Sequence, residues 1–169
     1  MGPSRSLCTS TEETWSLNQG YKQVAELGGG RIDKIFLAHT QVSANFDKNQ
    51  PRFDWNEMNK LADAGCEIIN THRVKGLKST IYPMKAVIKK LGRDYFSDTV
   101  AYMIAYALYK YTIKDRKTGL LKLKEPLELF FYGADFQDLD EYGTEKPSVE
   151  YWIGYAEALG VRIHIPIDS

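Results

Sequence analysis

The stretch from Leu127 to Ile165 limits the possible folds more than any other part of the chain. Leu127 to Tyr132, LELFFY, is a short apolar and aromatic run without a breaker, and Gly133 ends it. Such a run reads as a buried parallel strand whose two faces are covered by helices. Asp135 then falls just past its carboxyl end. Pro147 and Ser148 open a helix, with Pro in the first turn and Ser as its cap. Val149, Trp152, Ile153, Ala156 and Leu159 recur at helical spacing, Gly160 stops the helix, and Val161 to Ile165 returns as a strand. The result is a strand–loop–helix–strand unit with an expected right-handed crossover. Ligands of open α/β sheets bind outside the carboxyl ends of the strands. The loop from Gly133 to Pro147 lies there.

The preceding residues repeat the alternation. Thr14 to Leu17 reads as a strand ending at Asn18, and Gln19 to Leu27 as a helix closed by Gly28, Gly29 and Gly30. Ile32 to Ala38 is the next strand, with His39 and Thr40 at its end, and Gln41 to Arg52 is a polar surface excursion. Asp54 caps a helix through Ala64 whose apolar face is Trp55, Met58, Leu61 and Ala62. Cys66 to Asn70 is a strand, followed by Thr71, His72 and Arg73. Pro83 to Leu91 is a helix ended by Gly92. Ser97 or Asp98 caps the next helix, buried through Val100, Met103, Ile104, Ala107 and Leu108. Alternating strands and helices predict an α/β fold, a Rossmann-like three-layer sandwich with a mostly parallel sheet. No repeat or linker divides residues 1–169, which read as a single nucleotide-binding domain. Its first strand reads as missing or truncated, because nothing precedes the opening MGPSRS.

Charge and cysteine content narrow the function classes. The 169 residues carry 22 basic and 22 acidic side chains, so no general nucleic-acid surface is indicated. Lys110 to Lys124 is locally basic; a solvated loop and a phosphate contact both fit it. Cys66 reads as a small core residue, and the two cysteines, Cys8 and Cys66, form neither a disulfide framework nor a zinc pattern. No apolar run is long enough to span a bilayer, and no leader is evident. The expectation is a cytoplasmic protein without a membrane or metal partner.

Residues at the expected strand ends are Ser4, Asn18, His39, Thr40, Asn70, Thr71, His72, Gly133 and Asp135. Ser97 and Thr99 stand at a helix amino terminus, where N–H groups favour an anion. Short hydroxyl and amide side chains suit ribose and phosphate better than a metal. Gly2, Ser4 and Ser6 fit a phosphate-cradling loop, and they fit a flexible Ser/Thr-rich tail as well. His39 and His72 fit a general base near neutral pH, or a hydrogen-bonded structural histidine. Tyr142, Tyr151 and Tyr155 fit base stacking, core packing or the interface of a homo-oligomer. No HExxH, Walker A loop or nucleophile elbow occurs.

The order GPSRS, WSLNQGY, IDKIFLAHT, YFSDTVAYMIAYAL and LELFFYGADF resembles the bacterial sialyltransferases and their Rossmann-like relatives. The closing part, YGADF with EYGTEKPSVEYWIGYAEALGVRIHIP, resembles a group of small uncharacterised bacteriophage proteins. The resemblance implies a cytidine-nucleotide pocket lined by Gly2, Pro3, Ser4 and Asn18, with Ser97 and Thr99 in the matching helix start. Gly133 and Asp135 match the family's Gly-x-Asp signature. It also implies a nucleotide or nucleotide-sugar ligand, glycosyltransferase-like chemistry and the cytoplasm of a phage-infected or prophage-bearing bacterium. The chain departs from the family where a lid carries a catalytic His. Here that segment is short, and its candidates are Asp138, Asp140, Glu141, Tyr142 and Glu145.

Two other functions fit the residues. Glu150 followed by IGYAEALG is similar to nucleoside deoxyribosyltransferases, in which a carboxylate attacks the sugar carbon. Helix packing and the preference of acidic residues for a helix amino terminus explain the same residues without chemistry. A non-catalytic protein that sequesters a nucleotide signal, as a counter-defence factor, is the other. The catalytic candidates are therefore His72, Glu145 and Glu150.

Overall fold

The computed structural model describes residues 13–26, 31–38, 53–132 and 146–166. They fall into two compact units, one of described residues up to Tyr82 and the other from Pro83 onward. Among the described residues no helix is long and apolar enough to cross a membrane.

The amino-terminal unit is an α/β structure. Its elements are β1 (Trp15–Leu17), α1 (Gly20–Glu26), β2 (Lys34–Leu37), α2 (Trp55–Asp63), β3 (Glu67–Asn70) and β4 (Thr80–Ile81). The four strands form one sheet in the order β1-β2-β3-β4, every pair parallel. Register runs Leu17 against Phe36, Leu37 against Asn70 and Asn70 against Ile81. Parallel neighbours need a crossover, and helices supply it where the chain is long enough. The short strand β4 was not foreseen. It returns to the sheet through the loop of residues 71–79 rather than through a helix, so no helical period announces it.

Side chains alternate across the sheet. Ile35, Leu37 and Ile68 share one face, and they form a core with Tyr21, Phe53, Met58, Cys66 and Leu77. As expected, Met58 is buried and Trp55, Leu61 and Ala62 pack beside it. Asp54 caps α2 by accepting from the N–H groups of Asn56 and Glu57, at 2.9 and 3.2 Å. Lys34 is buried at the start of β2, where Glu13 and Glu67 both pair with its ammonium.

The carboxy-terminal unit contains α3 (Met84–Leu91), α4 (Thr99–Tyr111), β5 (Thr112–Lys114), β6 (Leu121–Leu123), β7 (Glu128–Phe130), α5 (Lys146–Ala158) and β8 (Arg162–His164). Gly92 ends α3 in the left-handed region, φ 70°, which a glycine adopts without strain. Helix α4 packs against both α3 and α5, which is why its buried set is wider than a single stripe. The basic segment read as a loop is instead the end of α4 and an antiparallel β5–β6 hairpin. The Asp115 carboxylate closes it by accepting from the N–H groups of Lys117 and Thr118, each at 2.9 Å.

Strands β7 and β8 are parallel, as expected, but form a two-stranded sheet of their own among the described residues. The expectation that β7 is covered on both faces fails: Glu128 is exposed, and Phe130 is 53 % exposed. Phe130 stacks on His164, ring centroids 4.2 Å apart. Ser148 is not the cap of its helix. It lies inside α5, fully buried, and its Oγ accepts from Ser97 N at 3.2 Å.

Candidate functional site

Because the four strands of the amino-terminal sheet are parallel, their carboxyl ends share one edge. Asn18 follows β1 there. Its N–H extends the ladder by donating to Phe36 O at 2.9 Å. Its φ is 48°, the left-handed region that asparagine tolerates better than most residues. The side-chain Oδ1 is buried and accepts no hydrogen bond.

Asn70 is the last residue of β3 and is 1 % exposed. Its Oδ1 accepts from His72 N at 3.2 Å, which fixes the orientation of the amide. Its Nδ2 is buried and has no acceptor. The Asn70 carbonyl accepts from Tyr82 N at 2.9 Å. Asn18 and Asn70 stand at the same level on strands that flank β2, about 10 Å apart from the strand spacing.

Thr71 ties the edge together. Its N–H donates to Leu37 O and its hydroxyl to Ala38 O, both at 3.1 Å. His72 Nδ1 lies 2.8 Å from the same hydroxyl oxygen. With the hydroxyl proton on Ala38 O, the oxygen accepts from an Nδ1–H of His72; with that proton directed at the ring, Nδ1 accepts it. The ring is exposed, and Nε2 takes no part in this contact.

Beyond His72 the chain borders a hollow of about 750 Å³ lined by Arg73, Val74, Lys75, Leu77, Ser79 and Ile81. Arg73 was recognised in the sequence only as following a strand end, and Lys75 was not singled out. Their signal was a cluster of basic residues directly after β3.

In the carboxy-terminal unit, Asp98 rather than Ser97 caps α4, accepting from the N–H groups of Val100 and Ala101. The amides assigned to an external anion are thus bonded to the chain's own carboxylate. Thr99 Oγ1 is buried without a partner. Phe96 lies between Tyr102 and Trp152, and Trp152 Nε1 donates to Tyr95 O at 2.6 Å. Tyr155 OH donates to Leu91 O at 3.0 Å, and Tyr151 meets Tyr95 edge-on, so both tyrosines have intramolecular contacts. Burial raises the Tyr155 phenol above its ordinary value. Glu150 points to solvent, its side chain 64 % exposed, 3.7 Å from Lys146.

The candidate set therefore divides. Asn18, Asn70, Thr71 and His72 lie along one sheet edge; Ser97, Thr99 and Glu150 belong to the other unit. Gly2, Ser4, His39, Thr40, Gly133, Asp135, Tyr142 and Glu145 lie outside the described residues. Among the described residues no group of three His, Cys, Asp or Glu side chains is placed to hold a metal ion. No family model matches the chain, and neither a curated protein nor a solved structure is found similar to it.

Proposed function

We propose that the protein binds a nucleotide or nucleotide-sugar at the carboxyl edge of its four-stranded parallel sheet, within a Rossmann-like three-layer sandwich. The observation that carries this reading is the pair of buried amide atoms without partners, Asn18 Oδ1 and Asn70 Nδ2. A buried polar group that lacks a partner costs about 1–3 kcal/mol, and native folds rarely keep one without a use. Here an acceptor and a donor stand at the end of adjacent ladders, on the edge where α/β sheets take their ligands. A ribose hydroxyl both donates and accepts, and a pyrimidine edge presents the same two functions. A cytidine nucleotide is the first ligand to try. Its binding to the folded state alone raises the melting temperature by linkage. The test is thermal unfolding of the full chain against a panel of nucleosides, nucleotides and nucleotide-sugars at millimolar concentration. A shift for some members and not others supports the reading, and no shift across the panel refutes it.

The geometry at His72 favours a second step, glycosyl transfer or hydrolysis at the sugar carbon. Thr71 anchors the ring at Nδ1, and Nε2 takes no part in that contact, as the position of a general base requires. Incubation with nucleotide-sugars separates the two. Product that disappears in His72→Gln supports transfer, whereas ligand recovered intact leaves a sequestering protein.

A further inference from the structure

We infer that the hollow beside the β3–β4 loop is a phosphoryl site, in which Arg73 and Lys75 receive the phosphate or diphosphate of a small ligand. The inference rests on the nucleotide reading for the rest of that ligand. The loop leaves the carboxyl edge at Thr71 and returns to it at Ile81, which pairs with Asn70. The hollow therefore adjoins the edge that carries the unpartnered amides. Among the described residues, Arg73, Lys75 and Ser79 are the polar ones in its lining, and no acidic residue lines it.

The loop's three basic residues are not equivalent. Lys78 is paired with Asp63 at 2.6 Å. Arg73 and Lys75 are exposed, and among the described residues no carboxylate pairs with either. Two unneutralised cations two residues apart repel, and a doubly charged anion relieves the repulsion. Arginine's planar fork also matches phosphate oxygens two at a time.

The loop is held in place before any ligand arrives. Leu77 is buried in the core and Val74 packs against it. Asn59 grips the turn from both sides: its Nδ2 donates to Gly76 O at 2.7 Å, and its Oδ1 accepts from Lys78 N at 2.8 Å. Gly76 makes the turn at φ 86°, where a side chain would be strained. A preorganised loop loses little entropy on binding, which raises the affinity available from two charges.

Equilibrium dialysis of the full chain against cytidine, cytidine diphosphate and inorganic pyrophosphate tests the inference. Cytidine diphosphate is expected to bind about tenfold or more tightly than cytidine, from charge-assisted bonds to two cations. The advantage shrinks as salt is raised. Arg73→Ala/Lys75→Ala removes it, while Lys78→Ala, which deletes a charge from the same loop but not from the hollow, keeps it. Equal affinity for cytidine and its diphosphate overturns the inference and leaves the nucleotide reading standing. So does an equal loss in Lys78→Ala. Pyrophosphate bound by the wild type and lost in the double variant, with no affinity for cytidine, keeps the phosphoryl site and removes the nucleotide reading. No binding of any of the three removes both.

Discussion

Replacing Asn70 with leucine removes a buried amide that the fold uses only by half. The residue is 1 % exposed, its Oδ1 bonded to His72 N and its Nδ2 bonded to nothing. Relief of the unmet donors is worth about 1–3 kcal/mol, and loss of the Oδ1 bond costs about 0.5–1.5 kcal/mol. Leucine has nearly the same shape, and Asn70 shares its face with Ile68 and pairs in register with Leu37, both core residues. Relief exceeds loss, so Asn70→Leu is expected to gain about 1 kcal/mol, or about 2–4 °C in Tm for a chain of this size. The same variant is expected to lose the stabilisation that a cytidine nucleotide gives the wild type. Circular dichroism melts with and without nucleotide therefore give opposite orders for the two proteins. A Tm several degrees below wild type without ligand would mean that the fold itself satisfies the amide. A retained nucleotide shift would mean that the ligand does not use it.

Other outcomes follow from individual groups. Burial, helped by the Asp33 carboxylate, pushes the Cys66 thiol up to about 11 from 9.0. The folded state keeps that proton longer than the unfolded chain does. The contribution is whole below the unfolded value and is lost as pH rises between about 9 and about 11, some 2–3 kcal/mol in all. Urea melts should show that alkaline slope, and Cys66→Ala should flatten it. The N–H of Thr118 and the Lys122 ammonium hold the Asp115 carboxyl well below its usual range. Its contribution is present above about pH 4 and lost as pH falls further, so Asp115→Asn should flatten the acid limb of the same melts. Asp98→Ala removes the cap of α4 and should cost about 1–2 kcal/mol by urea titration.

Local signals in the sequence were reliable where the chemistry is local. Asp54 and Gly92 mark helix ends because a carboxylate and a missing Cβ act on their own backbone. The β1 to β3 alternation followed from apolar runs between breakers, and with it the position of Asn18, Asn70, Thr71 and His72 at strand ends. Three things were not legible in this way. Leu127 to Tyr132 is apolar enough for a buried strand, yet nothing in LELFFY says which face is covered, and Phe130 is exposed. Lys110 to Lys124 is too charged to suggest strands, but Asp115 and Gly119 close a turn that makes a hairpin of it. Ser148 reads as a cap from its neighbours, and only packing against residue 97 reveals it as a buried acceptor. The unpartnered amide atoms were invisible for the same reason, since satisfaction of a polar group is a property of the fold.

The side-chain amide resonances of Asn70 report most directly on the binding edge. On saturation with a cytidine nucleotide, the Nδ2 protons should shift downfield and exchange more slowly, as donors that have gained an acceptor. A nucleotide that binds to saturation while those resonances stay where they were would contradict the account.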